Sequence, residues 1–183
     1  RVSAQGAALV GAEMLGYRNL HLGAARQREG QPPVQLARPG EPLLTMRLVA
    51  NSDTVPLARV PFTAAASAPG ARTLRFDGQA PTRAGAVPVS LTYEVQPDSF
   101  TLRVRGSVQA QGPAYLLVDL PQTLAITERD TADHFTQLSF AWKPVARSAQ
   151  GEKFSELDPG ERRLVADSLA WAVAKSKYFL LGV

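Results

Sequence analysis

The clearest pattern along the chain is an alternation of apolar and polar residues near its middle. Apolar side chains occupy the odd positions from Val89 to Val95, and Phe100, Leu102 and Val104 continue the alternation beyond residues 96–99. The tetrapeptide 96–99, Gln-Pro-Asp-Ser, has the composition of a turn, with Pro suited to its second position. Period-two patterns on both sides of a turn are typical of an antiparallel hairpin with one wet face. We therefore predict such a hairpin, with Phe100, Leu102 and Val104 facing the core.

Shorter apolar runs predict further strands, bounded by Gly and Pro. They lie at 43–49, around Leu74 and Phe76, at 115–120, 138–142 and 168–174, and in the apolar run from Tyr178. Residues 2–15 predict two strands or one bent strand, with turns at Gly6 and Gly11, and residues 23–33 and 63–72 have the composition of loops. Residues 158–161, Asp-Pro-Gly-Glu, could open a helix. The fold class that follows is all-β, a sandwich with at most short helical segments.

Composition supports this fold class and narrows the chemistry. The 183 residues include 14 Gly and 14 Pro, which favour short strands over a helical bundle, and no Cys, which excludes disulfides and thiolate sites. The net charge is +4, carried by 16 Arg and 4 Lys. These are scattered, whereas nucleic-acid binding needs clustered cations, so no nucleic-acid partner is predicted.

A search for catalytic or metal-binding patterns yields little. The two histidines, His21 and His134, have no second His at ligand spacing, and the acids before His134 (Glu128, Asp130 and Asp133) have the composition of a solvated loop. No nucleophile elbow or phosphate-binding loop occurs. Phe140 and Trp142 stand in apolar strand register and are expected in the core rather than stacked on a sugar. We predict no enzymatic activity, no cofactor and no metal site.

Several segments resemble the periplasmic domain of the bacterial membrane-protein insertase YidC. The run Trp171-Ala-Val-Ala-Lys-Ser-Lys-Tyr-Phe179 is similar to a segment late in that domain, where a Trp-Val-Ala-like run is followed by Tyr-Phe. Residues 6–17 resemble its early strand pair, residues 33–36 its Pro-hydrophobic-Gln-Leu strand, and the hairpin 89–108 its central strands. Lys177 replaces the Asn or Gln that usually precedes the Tyr, and Ala170 replaces a frequent Gly.

The resemblance implies a β-supersandwich similar to that of the galactose mutarotases, located in the periplasm and tethered to the inner membrane by spans outside this chain. It implies a non-catalytic role in the insertion and folding of inner-membrane proteins, with Sec translocon components and nascent membrane proteins as partners. We expect residues 1–183 to be one domain excised from a longer protein, with a C-terminal end that is truncated or incomplete. The alternative is a carbohydrate-binding or mutarotase-like sandwich.

The C-terminal segment offers the candidate docking residues Trp171, Lys175, Lys177, Tyr178 and Phe179. Three exposed aromatic rings would form a patch of the size that marks an interface. Packing of Trp171 and Phe179 onto the sandwich is the favoured alternative, with the stems of the two lysines covering apolar surface. On that interpretation, deletion of 168–183 destabilises the domain.

Overall fold

The computed structural model describes residues 1–21, 30–50, 52–68, 70–96, 99–127, 129–158 and 160–183. Within these ranges it contains thirteen β-strands, one short α-helix and two 3-10 turns, Leu57–Arg59 and Phe154–Glu156. The strands are β1 (Glu13–Arg18), β2 (Pro33–Gln35), β3 (Thr45–Ala50), β4 (Asp53–Pro56), β5 (Phe62–Ala64), β6 (Thr73–Thr82), β7 (Gly85–Val95), β8 (Leu102–Val108), β9 (Ala114–Asp119), β10 (Ser139–Pro144), β11 (Gln150–Lys153), β12 (Leu169–Lys175) and β13 (Leu180–Gly182). The helix α1 is Thr131–Thr136. The predicted all-β class with short helical segments is confirmed.

The chain forms two compact units, each built from two stretches of sequence. Unit 1 comprises Arg1–Val10 and Leu44–Asp119, and unit 2 comprises Gly11–Leu43 and Leu120–Val183. Unit 1 holds the antiparallel sheets β5-β6-β7-β8 and β4-β3-β9, and unit 2 holds β11-β10-β12-β13 and the pair β1-β2. The expectation of a single domain over residues 1–183 stays a prediction.

The core of unit 1 confirms the predicted hairpin. Strand β7 pairs with β8 from Val89↔Val108 to Val95↔Leu102, and its odd positions from Val87 to Tyr93 are buried. Leu102, Val104 and Val108 pack partly buried against this core, while Arg103 and Arg105 are exposed. The alternation therefore separates the wet face of the hairpin from its packed face.

The tip of the hairpin departs from the prediction. Phe100 was expected in the core but is 88% exposed, and Val95 is also exposed. The cause is that Val95↔Leu102 is the last pair of the β7–β8 ladder, so Phe100 lies beyond the end of the sheet with no strand opposite it. Pro97 and Asp98 of the predicted turn fall outside the described residues.

In unit 2, strand β10 lies between β11 and β12, and β13 pairs with the other edge of β12. This confirms the strands predicted at 168–174 and after Tyr178. Phe140 and Trp142, expected in the core, are half-buried. Residues 160–166 form no helix, and Pro159 of the predicted helix start lies outside the described residues.

The acidic segment before His134 folds differently from the solvated loop expected of it. Asp130 caps helix α1, its side chain accepting a hydrogen bond of 3.0 Å from the N–H of Asp133. His134 lies within this helix and is buried to 1% exposure, with its ring edge-on to that of Phe135. The capping residue was visible in the sequence, but the six-residue helix is too short for an apolar period to mark it. Glu128 lies outside the described residues.

Candidate docking surface

The five candidate docking residues lie on β12 and on the turn that joins it to β13. Strand β12 has neighbours on both sides, and its register places Trp171 opposite Lys143 of β10. Lys175 stands between Ser139 of β10 and Leu180 of β13. Lys177, Tyr178 and Phe179 belong to the β12–β13 connection. The structure thus divides the predicted set into a strand pair and a turn group.

Trp171 and Lys175 share one face of the four-stranded sheet, because residues four apart on a strand point the same way. We call this the basic face; by register it comprises Ser139, Ala141, Lys143, Gly151, Lys153, Trp171, Val173, Lys175, Leu180 and Gly182. Trp171 is 38% exposed and Leu180 63%. Acidic residues are absent from these ten positions.

The opposite face of this sheet is packed. Ala174 and Pro144 are buried there, and Phe140 contacts the ring of Phe154 with 4.7 Å between centroids. Leu138, just before β10, is also buried. The apolar side chains on this side form the packed core of the sheet. The apolar groups on the basic face do not belong to that core.

The turn group is tied into unit 2. The Lys177 ammonium donates to the Asp133 carboxylate of α1. This hydrogen bond is the main reason that the pKa of Lys177 lies above its ordinary value, and a hydrogen bond to Tyr178 is the second. Its Nζ also lies 5.1 Å from the centroid of the Tyr178 ring. The buried Ser176 closes the turn, its N–H donating to the Phe179 carbonyl at 2.8 Å. Lys177 is therefore a charged side chain paired with Asp133, and this pair ties the β12–β13 turn to α1.

Phe179 is a packing residue. Its ring meets that of Tyr17 edge-on, with 5.4 Å between centroids, in a geometry that aromatic pairs favour. Tyr178, next to it, is exposed. The sequence-based choice between packing and an exposed stripe therefore divides by residue: Phe179 packs, whereas Tyr178 and Trp171 are exposed, so the expected packing of Trp171 is not observed.

Sequence reasoning missed the rest of the basic face. Lys143, Lys153 and Leu180 come beside Trp171 and Lys175 through strand register, which local patterns do not report. One signal was available: all four lysines of the chain fall between residues 143 and 177, whereas the sixteen arginines are spread along it. A cluster of one cation type within a predicted sheet could have indicated this surface.

Unit 2 also contains a polar groove of about 350 Å³, lined by Trp142, Arg147, Gln150, Glu152 and residues 163–167. Two ion pairs border it, Arg163–Glu152 at 3.0 Å and Arg147–Asp167 at 2.9 Å. Each carboxylate that lines the groove is thus engaged by a guanidinium. Among all the residues that the structure describes, including those of this groove, no group of three His, Asp or Glu side chains could hold a metal ion.

Comparison with known proteins decides the family. A profile described as the YidC periplasmic domain matches residues 1–183. The chain belongs to the YidC periplasmic domain family. Neither a curated protein nor a solved structure matches the chain.

Membership in the YidC periplasmic domain family identifies the chain as a non-catalytic periplasmic part of a membrane-protein insertase. It also implies the β-supersandwich that the resemblance predicted. It favours the insertase interpretation over the carbohydrate-binding alternative. None of the described helices has the length and apolarity needed to cross a bilayer.

Proposed function

We propose that this YidC periplasmic domain assists insertion and folding of inner-membrane proteins by docking a protein partner on its basic face. The partners are Sec translocon components or nascent membrane proteins. Trp171 and Lys175 make the contact, together with Leu180. Lys177, Tyr178 and Phe179 form the β12–β13 connection at the edge of this contact surface, and their contacts hold the connection in place.

The observation that carries the proposal is the exposure of large apolar groups on a sheet face that carries cations. Trp171 and Leu180 stand on the outward side of β12 and β13, although the sheet already buries its other side. Leaving such side chains in water forgoes roughly 25 cal/mol per Å² of apolar surface. Tryptophan is also enriched among the residues that dominate binding energy at interfaces. A partner that covers Trp171 and Leu180 removes their apolar surface from water, and the free energy gained stabilises the complex.

The test is site-specific photo-crosslinking in the full-length insertase. A photoreactive residue in place of Leu180 is expected to crosslink to a translocon component or to an inserting nascent chain. The matched control is the same residue in place of Arg105, which is exposed on a sheet face of unit 1. Equal crosslinking from both positions, or none from position 180, would contradict docking through the basic face.

A further inference from the structure

The lysines of this chain are concentrated on one surface. Lys143, Lys153 and Lys175 occupy the basic face, and the fourth, Lys177, follows in the adjoining turn. The ten positions of the face contain no Asp or Glu. This one-signed distribution differs from the exposed face of the β6-β7-β8 sheet, where Arg75 pairs with Asp77 and Arg105 with Glu94.

The three lysines of the basic face differ in the partners of their ammonium groups. Lys175 is exposed and has no ion-pair partner among the residues that the structure describes. Lys153 lies 3.9 Å from Glu156, with both side chains 63% exposed, a separation and exposure at which an ion pair contributes little. Lys143 donates to the carbonyls of Pro144 and Arg147, which holds its ammonium at the β10–β11 turn on uncharged acceptors, so its charge is not neutralised. The face therefore keeps a net positive charge.

Strand register arranges these groups in two rows across the sheet. One row holds Lys143 and Trp171, and the other holds Lys153, Ser139, Lys175 and Leu180. The rows are four residues apart along β10, or about 13 Å. Between them lie Gly151, Ala141, Val173 and Gly182, which have short side chains or none. An extended polypeptide segment laid between the rows would have Trp171 and Leu180 available to its apolar side chains and the lysines available to its charged ones.

We propose that the basic face selects among partner segments by charge, binding apolar segments flanked by Asp or Glu and disfavouring those flanked by Lys or Arg. This inference rests on the proposed docking function and names the chemistry of its partner. Opposite charges across an interface contribute mainly specificity and association rate, and like charges exclude wrong partners. Loops retained on the cytoplasmic side of membrane proteins are enriched in Lys and Arg. A basic face in the periplasm therefore favours segments that belong on its own side of the membrane.

The experiment compares two fluorescent peptides with one apolar core, flanked either by two Asp or by two Lys residues. Each is titrated by fluorescence anisotropy against the full-length insertase in phosphatidylcholine nanodiscs, so that the lipid carries no net charge. We expect the acidic peptide to bind about fivefold tighter or more at low ionic strength. The difference should shrink toward equality at about 0.5 M salt, where the screening length falls to a few ångströms.

Charge-reversal variants connect the selectivity to the face. The double variant Lys153→Glu with Lys175→Glu should invert the preference, so that the Lys-flanked peptide binds more tightly. Trp171→Ala should lower the affinity for both peptides and leave the ratio of the two affinities unchanged. The control is Arg59→Glu with Arg72→Glu, which makes the same change in net charge at exposed positions of unit 1 and should keep the preference. Unchanged melting midpoints show that the variants fold.

The outcomes separate this inference from the proposed function. Equal affinity for both peptides, or a preference that survives charge reversal, overturns the selectivity but leaves docking intact if position 180 still crosslinks to a partner. Failure of both peptides to bind, together with loss of that crosslink, overturns both. Binding to phosphatidylglycerol vesicles that depends on Lys153 and Lys175, without any peptide preference, would assign the face to lipid and overturn the inference.

Discussion

At the scale of single residues, the turn at Gly6 combines a left-handed backbone with close approach of another backbone segment. Its φ is +73°, and a Cβ built there would lie 2.6 Å from the Ala58 Cα, a backbone atom that cannot move aside. We expect Gly6→Ala to lower the free energy of unfolding by clearly more than the roughly 1–2 kcal/mol that a left-handed L-residue costs. Urea titration followed by far-UV circular dichroism measures the loss. Gly70→Ala is the control, since its φ is +79° with no atom within 4 Å of the added Cβ, and an equal loss in both variants would exclude the steric effect.

The residue that faces this turn from the core predicts a pH dependence. The Tyr93 hydroxyl donates to the Ala7 carbonyl at 2.5 Å, and burial raises the pKa of Tyr93 to about 12. Between about pH 10 and 12 the unfolded chain releases the phenolic proton while the folded chain retains it, so stability falls as pH rises. Two pKa units correspond to about 2–3 kcal/mol. Tyr93→Phe should flatten this part of the stability–pH curve relative to the parent chain, and equal slopes in the two proteins would contradict the assignment.

At the scale of elements, the C-terminal strands of unit 2 carry the next prediction. Strand β12 pairs on both sides, and the Phe179–Tyr17 contact joins the β12–β13 connection to β1. Deletion of residues 168–183 removes the inner strand β12 together with β13, leaves an edge of β10 unpaired and removes the ring that packs on Tyr17. We expect a markedly lower melting midpoint, read from the fluorescence of Trp142, whereas changes confined to residues 65–68 of an exposed loop should leave it nearly unchanged. An unaltered midpoint after the deletion would make the segment a dispensable tail.

Elements also show where sequence reasoning succeeds and where it stops. The period-two run of β7 was predicted because its odd positions face one core, and the structure buries them. The short strands β4, β5 and β11 were missed, since three or four residues carry too little alternation to be recognised. The alternation predicts Phe100 in the core because its sequence position fits the pattern, yet the strand pairing ends before it reaches Phe100. Strand pairing also explains why Lys143 and Lys153 are missing from the predicted site. They lie beside Trp171 and Lys175 because their strands pair, not because they are close in sequence.

At the scale of the whole molecule, the chain path predicts how the domain unfolds. Each unit is made of two separate stretches of sequence, and unit 1 is closed by backbone bonds between Leu9 and Leu44, with the chain of unit 2 inserted between them. Neither unit can be completed until distant parts of the chain have met, which links the folding of one to the closure of the other. We therefore expect residues 1–183 to unfold as one cooperative domain.

Both tryptophans, Trp142 and Trp171, belong to unit 2, so their fluorescence reports that unit while far-UV circular dichroism reports both. In a single cooperative transition the two signals have the same urea midpoint, because coincident probes are the signature of two-state unfolding. Gly6→Ala, which acts in unit 1, should then shift the tryptophan transition of unit 2 by the same amount as the dichroism. A tryptophan midpoint that stays unchanged in Gly6→Ala while the dichroism splits into two steps would show that the units are separate domains. The single-domain proposal for residues 1–183 would then be abandoned.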